Sequence, residues 1–331
     1  MTVDLRTGIQ RPHNPLDYIT KIAAVAPAPP QTPHPLWTAF LLRVTARNND
    51  IIGFLKRYLG YSLTGHTTEQ VLVFLYGTGA NGKGVFINTV SKILGDYAVV
   101  APMELLIATD SERHPTEIAK LMGARLVTAQ ETTKGRRWDE AKIKNLTGGD
   151  KLTARFMRQD YFDFVPSFKM LIAGNHKPSL RSVDEAIRRR FLLVPFTVQI
   201  PEHERDPDLA RKLESEWPAI LRWMIDGALK WRRSGLMVPA IIRNATDAYL
   251  ADEDYLAQWL VECVEPAKHE FTRTAHLFAS WRQWCEKRNA RPGSEKTFSE
   301  TLVEKGYAKE RDTKTGRMGF INVALKPIEA D

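Results

Sequence analysis

Val71-Leu72-Val73-Phe74-Leu75-Tyr76-Gly77-Thr78-Gly79-Ala80-Asn81-Gly82-Lys83-Gly84-Val85-Phe86 carries the fold of this 331-residue chain. Its six leading apolar residues, rich in β-branched and aromatic types, fit a strand buried on both faces of a parallel sheet. A glycine-dense turn follows, and from Val85 to Leu94 apolar residues recur at helical spacing. Gly77 and Gly82 stand five apart with Lys83 next, which satisfies the GxxxxGK pattern in a strand–turn–helix context. In such a loop the glycines let backbone N–H groups turn inward around phosphates, and the following helix N-terminus adds a favourable field. The lysine reaches the β- and γ-phosphates. Gly77, Thr78, Gly79, Ala80, Asn81, Gly82, Lys83, Gly84 and Val85 are therefore the expected nucleotide-binding positions. The pattern usually ends in Ser or Thr, whose hydroxyl ligates Mg²⁺. Gly84 stands there instead, so magnesium has to be held by phosphates, water and an acidic residue elsewhere.

The length permits a large core and two or three domains. Hydrophobic content of 43% and charged content of 26% are ordinary for a soluble globular protein, and the net charge of +8 favours a polyanionic partner. Cys263 and Cys285 have neither metal-site spacing nor the density of a disulfide scaffold, which fits reduced side chains in a cytoplasmic protein. No apolar run reaches membrane-spanning length and the N-terminus lacks signal-peptide features, so no membrane partner is expected.

Residues 1–34 read as an extended lead-in, with a hairpin edge at 3–8 and a proline-rich linker at 26–35. Residues 35–63 are helical, with Asn49-Asp50 as the expected cap of a second helix. Residues 124–131 form a short apolar strand ending in Glu131, the expected acid that orders Mg²⁺ and polarises the attacking water. A helix over 139–146 closes at Gly148-Gly149. The hairpin at 150–164 interleaves Lys151, Arg155 and Arg158 with aromatic residues, which suits single-stranded DNA; its plain reading is a solvated edge. A third strand, 168–173, places Asn175 at its tip, to hold the attacking water, touch the γ-phosphate or simply form a turn. Arg188-Arg189-Arg190 precede a strand at 191–196, where an arginine either serves a neighbouring subunit's ATP or satisfies a helix dipole.

Residues 202–255 are mostly helical, with Trp217, Trp223 and Trp231 read as core or subunit contacts. A helix over 272–289 with Leu277, Phe278, Trp281 and Trp284 inward, a second helix capped by Ser294, and a β-ribbon turning near Lys314 compose a winged-helix pattern. The recognition helix is expected around Lys296, Thr297 and Glu300, with Lys314 and Arg317 on the wing. Duplex DNA binding and protein docking both remain open for this module.

The order of these motifs resembles the superfamily 3 helicase domain, and more narrowly the C-terminal helicase module of phage and plasmid DNA primases. The resemblance implies an α/β fold: an AAA+-like P-loop ATPase core with flanking helices, followed by a winged-helix domain. It also implies an ATP- and Mg²⁺-dependent motor that assembles as a homo-oligomeric ring, usually a hexamer, and translocates 3′ to 5′ on single-stranded DNA at forks. Carried over residue by residue, Gly77 to Gly84 is the Walker A loop, Glu131 the Walker B acid and metal ligand, and Asn175 the sensor. Arg190 is the arginine finger, with Arg189 next, and Lys151, Arg155 and Arg158 line the DNA channel. Gly84 and Gln130 depart from the family pattern, and both weaken Mg²⁺ coordination.

The expected divisions are 1–34, 35–201, 202–260 and 261–331, with no room before residue 35 for a primase half. A primase domain or partner is then fused elsewhere or separate, in a bacterial cell and encoded by a phage or mobile element. A nucleotide-switched DNA-binding or loader protein with weak hydrolysis is the alternative, and a winged-helix protein without ATPase activity a more distant one.

Overall fold

The computed structural model describes residues 1–109, 116–130, 135–181, 183–288, 290–313 and 315–327. Two compact units divide the chain, Met1–Glu253 and Asp254–Asp331.

The first unit opens with β1 (Thr2–Asp4) and β2 (Ile9–Arg11), an antiparallel pair at the expected hairpin edge. The segment after it is stitched to the core by backbone hydrogen bonds from Asp96 to Ile22, from Ala24 to Ile93 and from Ala28 to Pro218. The lead-in is thus part of this unit and not a separate piece. α1 (Pro35–Val44) starts on a proline, whose missing N–H costs nothing there. The next two amides, Leu36 and Trp37, donate to the buried Glu216 carboxylate at 2.9 and 2.8 Å. α2 (Asn49–Leu63) is capped by Asn48, whose side chain accepts from Asp50 and Ile51. The cap is therefore one residue earlier than Asn49-Asp50, because Asn48 keeps the extended backbone that a cap needs.

β3 (Leu72–Tyr76) and α3 (Lys83–Leu94) follow, then β4 (Ala98–Val100), α4 (Thr116–Ala119) and β5 (Leu126–Gln130). α5 (Glu140–Gly148) is capped by Asp139 and ends at Gly149. β6 (Leu152–Ala154) and β7 (Phe162–Phe164) pair as an antiparallel hairpin. β8 (Lys169–Gly174), α6 (Glu185–Arg188) and β9 (Phe191–Pro195) complete the sheet. Its order is β4-β5-β8-β3-β9, and every neighbouring pair is parallel.

Helices cover both faces, which is why the strands read as continuous apolar runs. Val73, Leu75, Leu171 and Val194 point to one core with α1, α2 and α3. Leu72, Phe74, Met170, Ile172 and Leu193 point to the other, around Trp138 and Tyr249. α7 (Leu209–Leu213), α8 (Trp217–Ser234) and α9 (Ala240–Glu253) close the unit. Trp223 meets Trp37 edge-on at 5.9 Å, and Trp231 packs against Tyr61 at 4.6 Å. On α9, Thr246 accepts a hydrogen bond from the Leu193 amide of the edge strand β9.

The second unit comprises α10 (Tyr255–Cys263), β10 (Val264–Arg273), α11 (Thr274–Lys287), α12 (Glu295–Glu304), β11 (Lys309–Arg311) and β12 (Met318–Leu325). Its antiparallel sheet has the order β10-β12-β11. Trp259 on α10 packs against Trp281 and Phe298, so α10 belongs to this unit and the break falls at residue 254, not 261. The helix expected from residue 272 begins at Thr274, because Thr272 and Arg273 pair with Phe320 and Gly319 on β12. Ser294 caps α12 as expected. Among the described residues, no helix is long and apolar enough to cross a membrane.

Candidate functional site

Parallel registry brings Tyr76 of β3 level with Gly174 of β8 and Pro195 of β9. Three strands therefore end together, and the loops leaving them share one end of the sheet. The chain leaves β3 for the far edge at β4, returns through β5 and β8, and then passes to β9 on the other side of β3. Where connections diverge in this way, a crevice opens at the carboxyl ends of the strands.

Lys83 occupies that crevice at the first position of α3. Its Nζ lies 2.6 Å from the Gly77 carbonyl oxygen, 2.9 Å from Asn81 Oδ1 and 3.0 Å from Asn175 Oδ1. Asn81 also donates through Nδ2 to the Phe196 carbonyl at 2.8 Å, tying the loop to the segment after β9. Residues 92 positions apart, Lys83 and Asn175, thus meet across two adjacent strands. Lys83 is only 7% exposed, and all three hydrogen-bond partners are neutral oxygens. Burial pulls its pKa from 10.5 to about 8. A desolvated cation among neutral acceptors lacks a counter-charge, and phosphate oxygens are chemically suited to supply it.

The loop geometry depends on two glycines. A Cβ on Gly77 would lie 2.0 Å from the Phe196 carbonyl oxygen and 2.2 Å from Asn81 Nδ2. Gly82, the residue before α3, has φ +82°, and no side chain caps the helix. Thr78 and Ala80 are exposed at the rim, while Gly79, Gly84 and Val85 are half-buried. A Cβ on Gly84 would meet Gln130 Oε1 at an ordinary 3.8 Å, so the two departures from the loop pattern face each other. Gln130, at the end of β5, donates to Asn88 Oδ1 at 3.1 Å. Asn88 had no place in the sequence reading; its position five residues beyond Lys83 on α3 is the signal that brings it to β5. Glu131, the expected metal ligand, lies outside the described residues. For Mg²⁺ the described residues here offer the amide oxygens of Gln130 and Asn88, and no group of three metal-ligating side chains occurs among them.

The arginines lie elsewhere. Arg189 and Arg190 precede β9, whose five residues at about 3.3 Å each put them roughly 16 Å from the Lys83 end of the sheet. Arg190 is buried in its own chain, donating to Thr147 Oγ1 at 3.1 Å and to the Ala186 carbonyl at 2.8 Å. Burial lowers its pKa. Arg189 is exposed. The guanidinium of Arg190 is thus committed to partners within its own chain, while that of Arg189 is open to solvent.

The β6–β7 hairpin enters β8 from that same far end. Lys151 and Arg158 are exposed, and Arg155 stacks over Tyr161 at 4.7 Å. Phe156 stacks on Phe162 at 5.6 Å, and Tyr161 is 60% exposed. Below it, the buried ammonium of Lys169 donates to the carbonyls of Thr64, His66 and Ser167, anchoring the start of β8. In the second unit, Lys296 is exposed on α12 with Glu300 at 4.0 Å, and Arg317 is exposed just before β12. Lys314 lies outside the described residues.

The architecture is consistent with an α/β core of the nucleotide-binding class. Residues 75–190 match a family of unknown function (DUF5906), and residues 1–46 match a family described as D5 N terminal like. The second match runs across residue 34, in keeping with the attachment of the lead-in to α1. The chain is 25% identical over 256 residues to "Putative helicase L207/L206" of Acanthamoeba polyphaga mimivirus, covering 70% of the chain and 26% of that protein. It is 26% identical over 301 residues to "Putative primase C962R" of African swine fever virus (strain Badajoz 1971 Vero-adapted), covering 82% of the chain and 30% of that protein. The chain thus spans less than a third of the length of these viral relatives. Among solved structures, the apo NrS-1 C terminal region (305–718) superposes with a TM-score of 0.58 at 13% identity, covering 91% of this chain and 78% of that one. In sequence the chain is thus similar to viral proteins named as putative helicases and primases, and in fold to the NrS-1 C terminal region.

Proposed function

We propose that this chain is the ATP-driven motor of a replicative DNA helicase of the superfamily 3 kind. The observation that carries the reading is the position of Lys83 between Asn81 and Asn175 at the switch point of the sheet. In the proposal the P-loop, residues 77–84, holds ATP, and the phosphates replace the neutral oxygens around the Lys83 ammonium. Asn175, released from Lys83, then faces the γ-phosphate or the attacking water. ATP is the substrate that supplies the free energy, and Mg²⁺ held at this site would neutralise charge developing in phosphoryl transfer. Glu131, Gln130 and Asn88 are the residues nearest in sequence or space to serve the metal.

β8 joins the two halves of this scheme. Asn175 leaves one end, while the hairpin with Lys151, Arg155 and Arg158 enters the other over the carbonyl-anchored Lys169. A shift at the nucleotide end is thereby delivered to basic and aromatic side chains suited to a single strand. Arg189 is too far along the sheet to reach its own chain's phosphates, so its place is at the site of a neighbouring subunit in a ring, of hexameric type. Separating a base-pair step costs roughly 1–2 kcal/mol, a modest demand on ATP hydrolysis. The second unit, with three helices and a three-stranded sheet, serves in this reading as a winged-helix DNA-binding module, and a primase domain or partner supplies primers. Unwinding of a forked duplex by purified protein with ATP and Mg²⁺ at low salt is the expected result; a fork left intact contradicts the proposal.

The pairing of Gly84 with Gln130 favours one second reading, a nucleotide-switched DNA-binding or loader protein. Glu131→Gln separates the two. A helicase loses strand separation while ATP binding persists, whereas a switch is scarcely changed.

A further inference from the structure

The second unit holds a pocket of about 550 Å³, walled by the start of α11, one side of α12 and the strands β11 and β12. Its charge is one-sided. Arg273, Lys296, Lys309 and Arg317 contribute cations, and Glu295 the single carboxylate. Among the described residues, Arg273, Lys309 and Arg317 form no ion pair, and Lys296 has only the 4.0 Å contact with Glu300. Like charges this close repel unless an anion sits among them.

Two further features point to the same ligand. α11 is 14 residues long and its N-terminus has no side-chain cap, so its first-turn amides and helix dipole face the pocket region unfilled. Ser299 of α12 belongs to the pocket wall, is 3% exposed, and its hydroxyl has no hydrogen-bond partner. A buried hydroxyl without a partner costs about 1–3 kcal/mol, which a ligand oxygen would recover.

We propose that this pocket binds a phosphate group of a nucleic-acid backbone, with Arg273, Lys309 and Arg317 as the charge partners and Ser299 as a hydrogen-bond donor. The inference rests on the DNA-binding reading of the second unit and extends it beyond a recognition helix and wing. A clamp of this composition grips the backbone and so holds DNA irrespective of base sequence. Free inorganic phosphate shares the chemistry, and the test separates the two sources.

The test is duplex binding by the full chain without nucleotide, read by fluorescence anisotropy over a range of salt. Arg155→Ala/Arg158→Ala serves as background, so that the hairpin of the first unit does not mask the effect. Added Lys309→Ala/Arg317→Ala is expected to weaken binding at least tenfold and to lower the slope of log K against log salt by about 2, the loss of two phosphate contacts. Ser299→Ala removes one oxygen; thermal stability holds or rises while duplex affinity falls roughly threefold or more. Unchanged affinity and slope in the double variant overturn the proposal. Stabilisation by inorganic phosphate that depends on Ser299, with duplex binding untouched, assigns the pocket to the free anion and likewise overturns it. Hydrolysis does not enter these readouts, so a chain that fails as a motor still gives a clear answer here.

Discussion

Burial of Lys83 predicts that nucleotide binding takes up a proton. In the nucleotide-free chain the ammonium has a pKa near 8, against an ordinary 10.5, because it is desolvated among neutral oxygens. A polyphosphate beside it restores counter-charge and draws the pKa back toward the ordinary value. Between about pH 8 and 10.5 the bound state then holds more protons than the free one, so affinity falls as pH rises through that window. With these two limits, raising the pH from 7.5 to 9.5 weakens binding about 20-fold, close to 2 kcal/mol. Phosphate ionisation does not confuse the result, since its second step near pH 6 is complete throughout. A fluorescent non-hydrolysable ATP analogue titrated at both pH values measures the ratio. Calorimetry at pH 8.5 in two buffers of different ionisation enthalpy measures the proton directly. Equal affinity at pH 7.5 and 9.5, with no proton taken up, would refute the argument that Lys83 is desolvated where phosphate arrives. The same shift bears on folding: the unfolded chain binds more protons in this window, so the nucleotide-free protein gains stability as pH rises from 8 to 10.5.

Other substitutions read separate parts of the site. Gly77→Ala drives a methyl into the Phe196 carbonyl, a backbone atom that cannot step aside; a loss above about 2 kcal/mol, or roughly 4–8 °C in melting temperature, is expected. Gly84→Ser meets only ordinary contacts and replaces glycine within a helix, so stability rises by about 0.5 kcal/mol, and the Mg²⁺ concentration needed for half-maximal hydrolysis falls. Arg189→Ala is expected to leave the melting temperature unchanged and suppress hydrolysis, with activity partly recovered on mixing with Lys83→Ala subunits. Arg190→Ala instead lowers the melting temperature by a few degrees, because Thr147 and the Ala186 carbonyl lose their partner. Recovery on mixing Arg190→Ala but not Arg189→Ala would reverse that assignment.

The Lys83 end of the first unit's sheet is legible because its signals are local. Six apolar residues, a glycine turn and a helical repeat follow one another within 71–94, and β3 and α3 form there. β10 was not legible, and its burial pattern shows why. Of its ten residues only Val264 is fully buried, Pro266 has no N–H to donate, and the register shifts between Pro266 and Phe271. No period-2 alternation survives, and the strand exists because β12 supplies a partner more than 40 residues later. The domain break was misplaced for a related reason. Trp259 fits a helical extension equally well until Trp281 and Phe298 are seen packed against it. Asn175 was visible as a polar residue at a strand tip, but only parallel registry joins it to Lys83. Arg190 shows the converse limit, since a basic run does not reveal which guanidinium turns inward.

Steady-state ATP hydrolysis with and without single-stranded DNA, using Lys83→Ala as the blank, tests the central claim most directly. The account predicts turnover that DNA stimulates and that the substitution abolishes. Turnover no greater than that of Lys83→Ala, with ATP still bound by the unaltered chain, contradicts the motor and leaves the nucleotide-switched reading in its place.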